Sequence, residues 1–565
     1  MKRLRWPFII VLVALVAIAL LLRNQQSPIL QPAVAPPQPV TGGVYTEALV
    51  GAPGRLNPVL DYYNPADRDV DRLLYSGLIN FDDRGVPQAD LAESWGVSQD
   101  GKTYNFAMRP DAKWHDGEPV SADDVLFTIE LLRQDNSPIP EDLRQFWKDV
   151  QVTALDEKNL QFRLPEAFAP FLDYLTFGVL PKHLLETVPA GELANAPFNL
   201  APVGSGPYRF SRFLTENGQI QGVVLSAFED YYFDRPFIDE IVFRYFPDAS
   251  SALAAYKSGE VTGVSVIPTE ILADALKEPD LKLYTGRQPR LTLAYMNLKD
   301  PKLPFFQDAD IRRALLMGLN RQGMVDQILS GQALLADGPI LPGTWAYYDG
   351  LERLDYDPEA ALKLIKEAGY ALPASGEGPR EKDGVPLAFE LAHPDDPQNT
   401  AIAEAMKRDW ERLGVDVTLK AMPFQELLSD HLESRNYQAA LVELNLSRFP
   451  DPDPYPFWDQ AQITGGQNYA NWDDRQASEY LEQARVTADL GERAKAYKNF
   501  QVRFANETPA LPLFYPVYSY GVDQQVQGVR MGPLFDTSDR FATVLQWYLK
   551  SKRPVGVNPT PSTAP

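Results

Sequence analysis

Hydrophobic positions along residues 42–550 follow two periods in turn. Period-two alternation puts Tyr104, Phe106 and Met108 on one face of a strand. Ile241, Phe243 and Tyr245 do the same in a second strand, and Leu291, Leu293 and Tyr295 in a third. Elsewhere the spacing is helical. Ile402, Met406, Trp410 and Leu413 recur every three or four residues, Gly414 stops the helix, and Val415, Val417 and Leu419 begin a strand. Asp357-Pro358-Glu359 supplies an N-cap, a first-turn proline and an early acid, and Gly369 ends that helix after Ala368. Ser121 and Asp124 form a capping box ahead of Val125, Ile129 and Leu132. Strands and helices interleave without a tandem repeat, which predicts an α/β or α+β fold in several lobes.

Both ends of the chain depart from that pattern. Lys2, Arg3 and Arg5 precede an apolar run over residues 6–22, closed by Arg23. A basic flank before such a run is read by the export machinery, with the positive charges retained inside. The run sits near the lower limit of about 17 residues for a spanning helix. Ala33-Val34-Ala35 has the small-residue form of a processing site, but it lies far past the run and Pro36 follows it. For residues 1–23 an uncleaved signal anchor is therefore favoured over a cleaved signal peptide. Residues 24–41 hold five prolines and no charge, the composition of an extended linker. Residues 551–565 are expected to be a disordered tail. The folded region between these ends is placed outside the cytoplasm.

Composition narrows the function. At 565 residues, 45% hydrophobic and 23% charged, the chain exceeds what one core usually serves, so two to four lobes are expected. Lys and Arg number 53 against 76 Asp and Glu, a formal net charge of −23, which argues against nucleic-acid binding, where the phosphate backbone demands a basic face. Cysteine is absent, and with it disulfides, thiolate metal sites, cysteine nucleophiles and a lipid-modified cysteine anchor. His115, His183, His393 and His431 show no metal-ligand spacing, so neither zinc nor histidine-based catalysis is expected.

A search for other chemistry returns little. There is no Gly-x-x-x-x-Gly-Lys-Ser/Thr sequence to cradle phosphate. Gly204-Ser205-Gly206 lacks the Gly-x-Ser-x-Gly spacing of a nucleophile and reads as a turn opening a Tyr208/Phe210 strand. Adjacent acids such as Asp123/Asp124, Asp395/Asp396 and Asp473/Asp474 do not by adjacency face each other across a bond. Asp451, Asp453 and Asp459 alternate with prolines, too stiff a segment for a calcium loop. A large exported chain without catalytic apparatus, metal or cofactor is better read as a binding protein than as an enzyme.

One region carries a resemblance. Leu91-Ala-Glu-Ser-Trp95-Gly-Val-Ser-Gln-Asp100-Gly101-Lys-Thr-Tyr104-Asn-Phe106 is followed by Trp114-His115-Asp116-Gly117-Glu-Pro119-Val-Ser-Ala122-Asp123-Asp124-Val125. Further on come Val203-Gly204-Ser205-Gly206-Pro207-Tyr208, Tyr232-Phe-Asp-Arg-Pro236, Ala255-Tyr-Lys-Ser-Gly259-Glu260, Tyr295-Met-Asn297, Asp310-Ile-Arg312-Arg313-Ala314-Leu315 and Pro450-Asp451-Pro452-Asp453. In number and order these motifs resemble family 5 extracellular solute-binding proteins, the oligopeptide- and dipeptide-binding components of ABC importers. The resemblance implies an α/β, two-lobed periplasmic-binding-protein-like fold, with mixed sheets flanked by helices and a hinge between the lobes. It implies three domains: domain I from 42–79, 203–288 and 510–550, domain II from 80–202, and domain III from 289–509. It further implies a monomer that captures a peptide or small-molecule ligand and delivers it to permease subunits with a cytoplasmic ATPase. Service to a sensor instead of a transporter, or capture of a sugar or other non-peptide solute, stays open.

The same resemblance locates a site. Peptide-binding relatives carry an aspartate that accepts the ligand's ammonium, three residues before the first acid of the Asp-Pro-Asp element. Here that position is Arg448, preceded by Asn445, Leu446 and Ser447, with Asp451 opening the element. An arginine repels an ammonium and favours carboxylate, phosphate or a ring face; alternatively, Arg448 pairs with Asp451 or Glu443 as scaffold. By position, Tyr62, Tyr63 and Asn64 lie on the domain I edge toward the ligand, and Trp345 lies in a domain III loop near the cleft. Core packing is the alternative for each aromatic. The remaining signature residues read as structural: Asp100-Gly101 and Asp116-Gly117 as turns, Trp95 and Trp114 as packing aromatics, and His115 as a satisfied loop residue.

Overall fold

In the computed structural model, which describes residues 39–446 and 450–550, the alternation at Tyr104, Phe106 and Met108 forms the strand Thr103–Met108. Those three side chains are buried while Asn105 between them is exposed. The strand is internal to a four-stranded antiparallel sheet, in the order Ala92–Val97, Thr103–Met108, Asn159–Arg163, Gln151–Ala154. The helix Ala122–Leu132 carries the capping box anticipated at Ser121 and Asp124. Nearly all of the proline-rich linker, the residue 6–22 segment, the tail, and Ser447 and Arg448 lie outside the described residues.

A second sheet of twelve strands runs through the unit Thr41–Leu549. Its path is Asp416–Met422, Ala388–Pro394, Ala439–Asn445, Arg290–Met296, Ala510–Asp523, Gly263–Val264, Val44–Val50, Glu240–Phe246, Gln219–Ala227 and Tyr208–Glu216. Leu281–Arg287 and Ala333–Leu335 also pair with the long strand Ala510–Asp523. Parallel and antiparallel pairs are mixed: Val44–Val50 runs parallel to Glu240–Phe246, which is antiparallel to Gln219–Ala227. Helices flank the strands, so the mixed α/β architecture is as anticipated.

The strand Arg290–Met296 shows how the core is divided. Leu291, Leu293 and Tyr295 are buried as the alternation predicts, but Thr292, Ala294 and Met296 are buried too. The odd-numbered set packs with Trp345, Trp458, Tyr497 and Phe504; Ala294 and Met296 pack with Phe306, Phe389 and Trp410. An internal strand covered on both faces has no solvent side to keep polar. The helix Pro397–Glu411 buries Ile402, Met406 and Trp410 against one of these faces.

Two stretches of chain join the two halves of the large sheet. The first half of Ala510–Asp523 pairs with Arg290–Met296, and its second half with Leu281–Arg287 and Gly263–Val264. The second stretch is the short link at 288–289 between Leu281–Arg287 and Arg290–Met296.

Candidate functional site

A cavity of about 880 Å³ opens among four groups of segments. The helix Pro65–Leu74 contributes Arg68, Asp71 and Arg72, with Asp61 and Tyr62 ahead of it and Asn80 to Asp83 beyond. Leu132, Leu143 and Trp147 come from the helices Ala122–Leu132 and Glu141–Asp149, while Asp173, Tyr174 and Phe177 come from and follow the 3-10 turn Ala169–Leu175. Met531, Phe535, Asp536 and Asp539 come from the stretch after the long strand, and Pro450 comes from the Asp-Pro-Asp element. Close approach at one wall requires a glycine. A Cβ on Gly178 would stand 2.7 Å from Tyr75 Cβ and 2.9 Å from Pro58 Cβ.

Most charges in this wall are already spoken for. Arg68 donates from Nε to Asp536 at 2.8 Å, and Arg72 lies 3.8 Å from Asp539 and donates to Asn80 at 2.9 Å. Burial resists ionisation of Asp536, but the Arg68 guanidinium and the Ser538 amide and hydroxyl together outweigh it and hold that carboxyl below the usual range. Asp82 accepts from the Arg84 and Val86 amides, and Asp173 accepts the Asp451 amide at 2.7 Å. Burial pushes Asp173 well above the ordinary carboxylate range, although Arg493 opposes it.

The residues anticipated from sequence fall in different places. Tyr62 lines the cavity and Tyr63, 72% exposed, meets it edge-on with ring centroids 4.8 Å apart. Asn64 caps the helix Pro65–Leu74: its side-chain oxygen accepts from the Ala66 and Asp67 amides, and its amide group donates to Asp67 and to the Ala52 carbonyl. Asn445 ends the strand Ala439–Asn445 opposite Arg290, and Leu446 donates its amide to the Pro289 carbonyl. Trp345 and Asp451 are brought together, but in packed structure. Asp451 is 4% exposed, its carboxylate held by Arg493 and by the Tyr497 hydroxyl, and the same Arg493 lies 5.1 Å over the Trp345 ring. Glu443, one scaffold partner considered for Arg448, pairs with Arg290 at 3.2 Å, and the other, Asp451, is engaged by Arg493 and Tyr497. Among the described residues no group of acids and histidines could hold a metal ion.

The signature motifs prove to be joints. His115 accepts the Gly204 amide at Nδ1 and meets the Gly206 carbonyl through Nε2 at 3.0 Å, locking two distant motifs together. A Cβ on Gly204 would stand 1.8 Å from the Leu74 carbonyl oxygen, so the glycines let this turn press on the end of the helix Pro65–Leu74. Ser205 between them is fully buried, no place for a nucleophile. Arg312 bonds the backbone carbonyls of Phe306, Glu507 and Thr508, with the Glu507 carboxylate 3.8 Å away.

Sequence reasoning missed most of the cavity. Asp67, Asp69 and Asp71 of the helix Pro65–Leu74 belong to no motif, yet all three are buried. Trp147, Phe177 and Met531 carry no motif.

This mixed α/β fold, with a cavity between distant segments, is matched across the chain. A family model described as bacterial extracellular solute-binding proteins, family 5 middle, matches residues 86–467. The oligopeptide-binding protein AppA of Bacillus subtilis is 27% identical over 521 residues, covering 91% of this chain and 92% of that protein. The dipeptide-binding protein of Escherichia coli is 27% identical over 522 residues, 88% and 94% of the two chains. The solved structure of the Bacillus subtilis AppA in complex with a nonapeptide superposes with a TM-score of 0.61 at 25% identity, covering 91% of this chain and all of that one. The chain belongs to the family 5 bacterial extracellular solute-binding proteins. It is accordingly a non-catalytic, extracytoplasmic transport component that works with an ABC permease and its ATPase. Among the described residues no helix is long and apolar enough to cross a membrane.

Proposed function

We propose that this protein captures a peptide-like solute in the 880 Å³ cavity and hands it to the permease after closing over it. The observation that carries this reading is the origin of the walls: residues 58–83, residues 132–178, and Pro450 with the 530–546 stretch. A ligand filling the space touches all of them and favours the arrangement in which they are close, by differential affinity. The volume falls within the range of roughly 300–1,000 Å³ that holds drug-sized ligands. The names of the relatives, for dipeptides and oligopeptides, support the peptide class.

Three finer readings accompany it. The domain scheme 42–79 with 203–288 and 510–550, then 80–202, then 289–509, takes its hinge from the strand Ala510–Asp523 and the 288–289 link. Arg448 stands two residues before the cavity-lining Pro450 and is assigned a carboxylate or ring of the ligand, with Ser447 beside it. Residues 6–22 are assigned the role of membrane tether.

Calorimetric titration of the purified protein with short peptides tests the function, together with mass spectrometry of whatever co-purifies. Failure to bind any peptide, with a non-peptide solute found in the cavity, would overturn the peptide class. For the site, Arg448→Asp is expected to weaken a peptide with a free carboxylate. Unchanged affinity removes Arg448 from the site.

A further inference from the structure

Asp173 and Pro450 line the cavity from the two sides of a seam, where the proposed domains II and III meet. Across it Asp173, in the turn Ala169–Leu175, accepts the amide of Asp451 at 2.7 Å, 278 residues away in the chain. Arg485, on the helix Arg475–Val486, makes a second crossing: its guanidinium lies 5.1 Å over the Phe168 ring and 4.3 Å over the Tyr455 ring. The charges in this seam do not balance. Among the described residues three carboxyls, of Asp173, Asp451 and Asp453, meet the two guanidiniums of Arg485 and Arg493. Both guanidiniums are taken, Arg485 by Asp453 at 3.1 Å and Arg493 by Asp451. Asp173 is left without a cation of its own. It is 5% exposed, and among the described residues its side chain receives one hydrogen bond, from the Asp451 amide. The other titratable groups facing it, the Tyr174 and Tyr497 hydroxyls, are kept protonated by burial.

We infer that Asp173 is a proton-linked latch on the cavity: its carboxyl fastens residues 168–174 to the Asp-Pro-Asp element, and parting the two segments returns it to water. This goes beyond solute capture; it rests on the proposed domain scheme and closure, and is independent of the peptide class. In the fastened seam burial holds the Asp173 carboxyl well above its ordinary range, opposed by Arg493 and reinforced by Asp453. Once rehydrated, the same carboxyl takes the ordinary aspartate value. Fastening therefore takes up a proton wherever pH lies between the two values. The contribution of this proton to closure is complete below the ordinary value and is lost as pH rises through the raised one. Acid favours the fastened arrangement.

The test reads the distance across the seam. The chain has no cysteine, so Gln145→Cys in domain II and Gln483→Cys in domain III, both exposed positions, carry a pair of spin labels without removing a native thiol. The pair is placed in the otherwise unaltered chain and in Asp173→Asn, whose side-chain oxygen still accepts the Asp451 amide but does not titrate. Distances are recorded from about pH 4, near the ordinary aspartate value, to about pH 8, with and without alanine tri- to pentapeptides. With Asp173 present, the ratio of short to long distances is expected to fall by up to about ten-fold per pH unit until pH passes the raised value. In Asp173→Asn it is expected to stay flat. A distribution that ignores pH with Asp173 present overturns the latch, and so does an Asn variant that titrates like its parent. Distances that shorten with peptide but ignore pH overturn the latch and keep closure over a peptide. Distances that follow pH only when Asp173 is present, and ignore every peptide, keep the latch and count against the peptide class. Distances that answer to neither end both.

Discussion

At the scale of single residues, His115 and Gly204 illustrate how a motif acts through contact geometry. The Gly204 turn lies so close to the Leu74 carbonyl that Gly204→Ala must displace backbone. We expect it to lower stability by about 1–3 kcal/mol, read by chemical denaturation. Burial, only partly offset by the Gly206 carbonyl, brings the His115 pKa from 6.5 down to about 4. Between those values the unfolded chain takes up a proton that the folded histidine refuses. Its contribution is therefore complete above pH 6.5 and is lost as pH falls toward 4. Asp90 works in the opposite sense. Burial, opposed by the Tyr232 hydroxyl, raises its carboxyl from 3.8 to about 6, so its contribution is complete below 3.8 and lost as pH rises to 6. His115→Asn should leave Asp90 in place and flatten the acid-side loss of stability between pH 6.5 and 4. Parallel stability profiles for the two proteins would refute the buried neutral imidazole.

At the scale of elements, fixed charges fasten pieces that hydrophobic contact alone would leave free to slide. Arg540 is fully buried and bonds Glu47 on the strand Val44–Val50 at 2.7 Å and Asp69 on the helix Pro65–Leu74 at 2.6 Å. The hydroxyls of Tyr45 and Tyr520 close the same network on Glu47. Arg540→Leu leaves two buried acids without their cation and is expected to cost about 3–5 kcal/mol in urea unfolding. A loss below one-third of that would mean that solvent reaches the cluster. The Asn64 cap is a smaller matter. Asn64→Ala should destabilise by about 1 kcal/mol in the same measurement.

At the scale of the whole molecule, the long strand Ala510–Asp523 belongs to both halves of the large sheet, which places it and the 288–289 link where the hinge proposed above would lie. A ligand that binds only the folded receptor adds its binding energy to stability. For a peptide identified by the calorimetric panel, a free concentration one hundred times Kd should stabilise by about 2.7 kcal/mol. An unmoved unfolding midpoint at that concentration would mean that the heat came from binding elsewhere than the folded cavity.

What the sequence determined by itself was local. Alternation at Tyr104 to Met108 and Ile241 to Tyr245, the caps at Ser121 and Asp357, and the stop at Gly414 are short-range patterns, and backbone geometry enforces them wherever the chain goes. The ordered motifs made the family legible for the same reason: turns such as Gly204-Ser205-Gly206 need particular residues at particular spacings. The cavity was not legible, because Asp71, Trp147 and Met531 are neighbours only after segments hundreds of residues apart have packed. Nor does local spacing distinguish a buried aspartate from a solvated one. The run from Asp67 to Arg72 has the composition of a solvated helix, and only the tertiary structure covers it, by placing Arg540 on Asp69 and the Gly54 and Arg55 amides on Asp67. Burial is a property of what surrounds a residue, and that is decided by the whole chain.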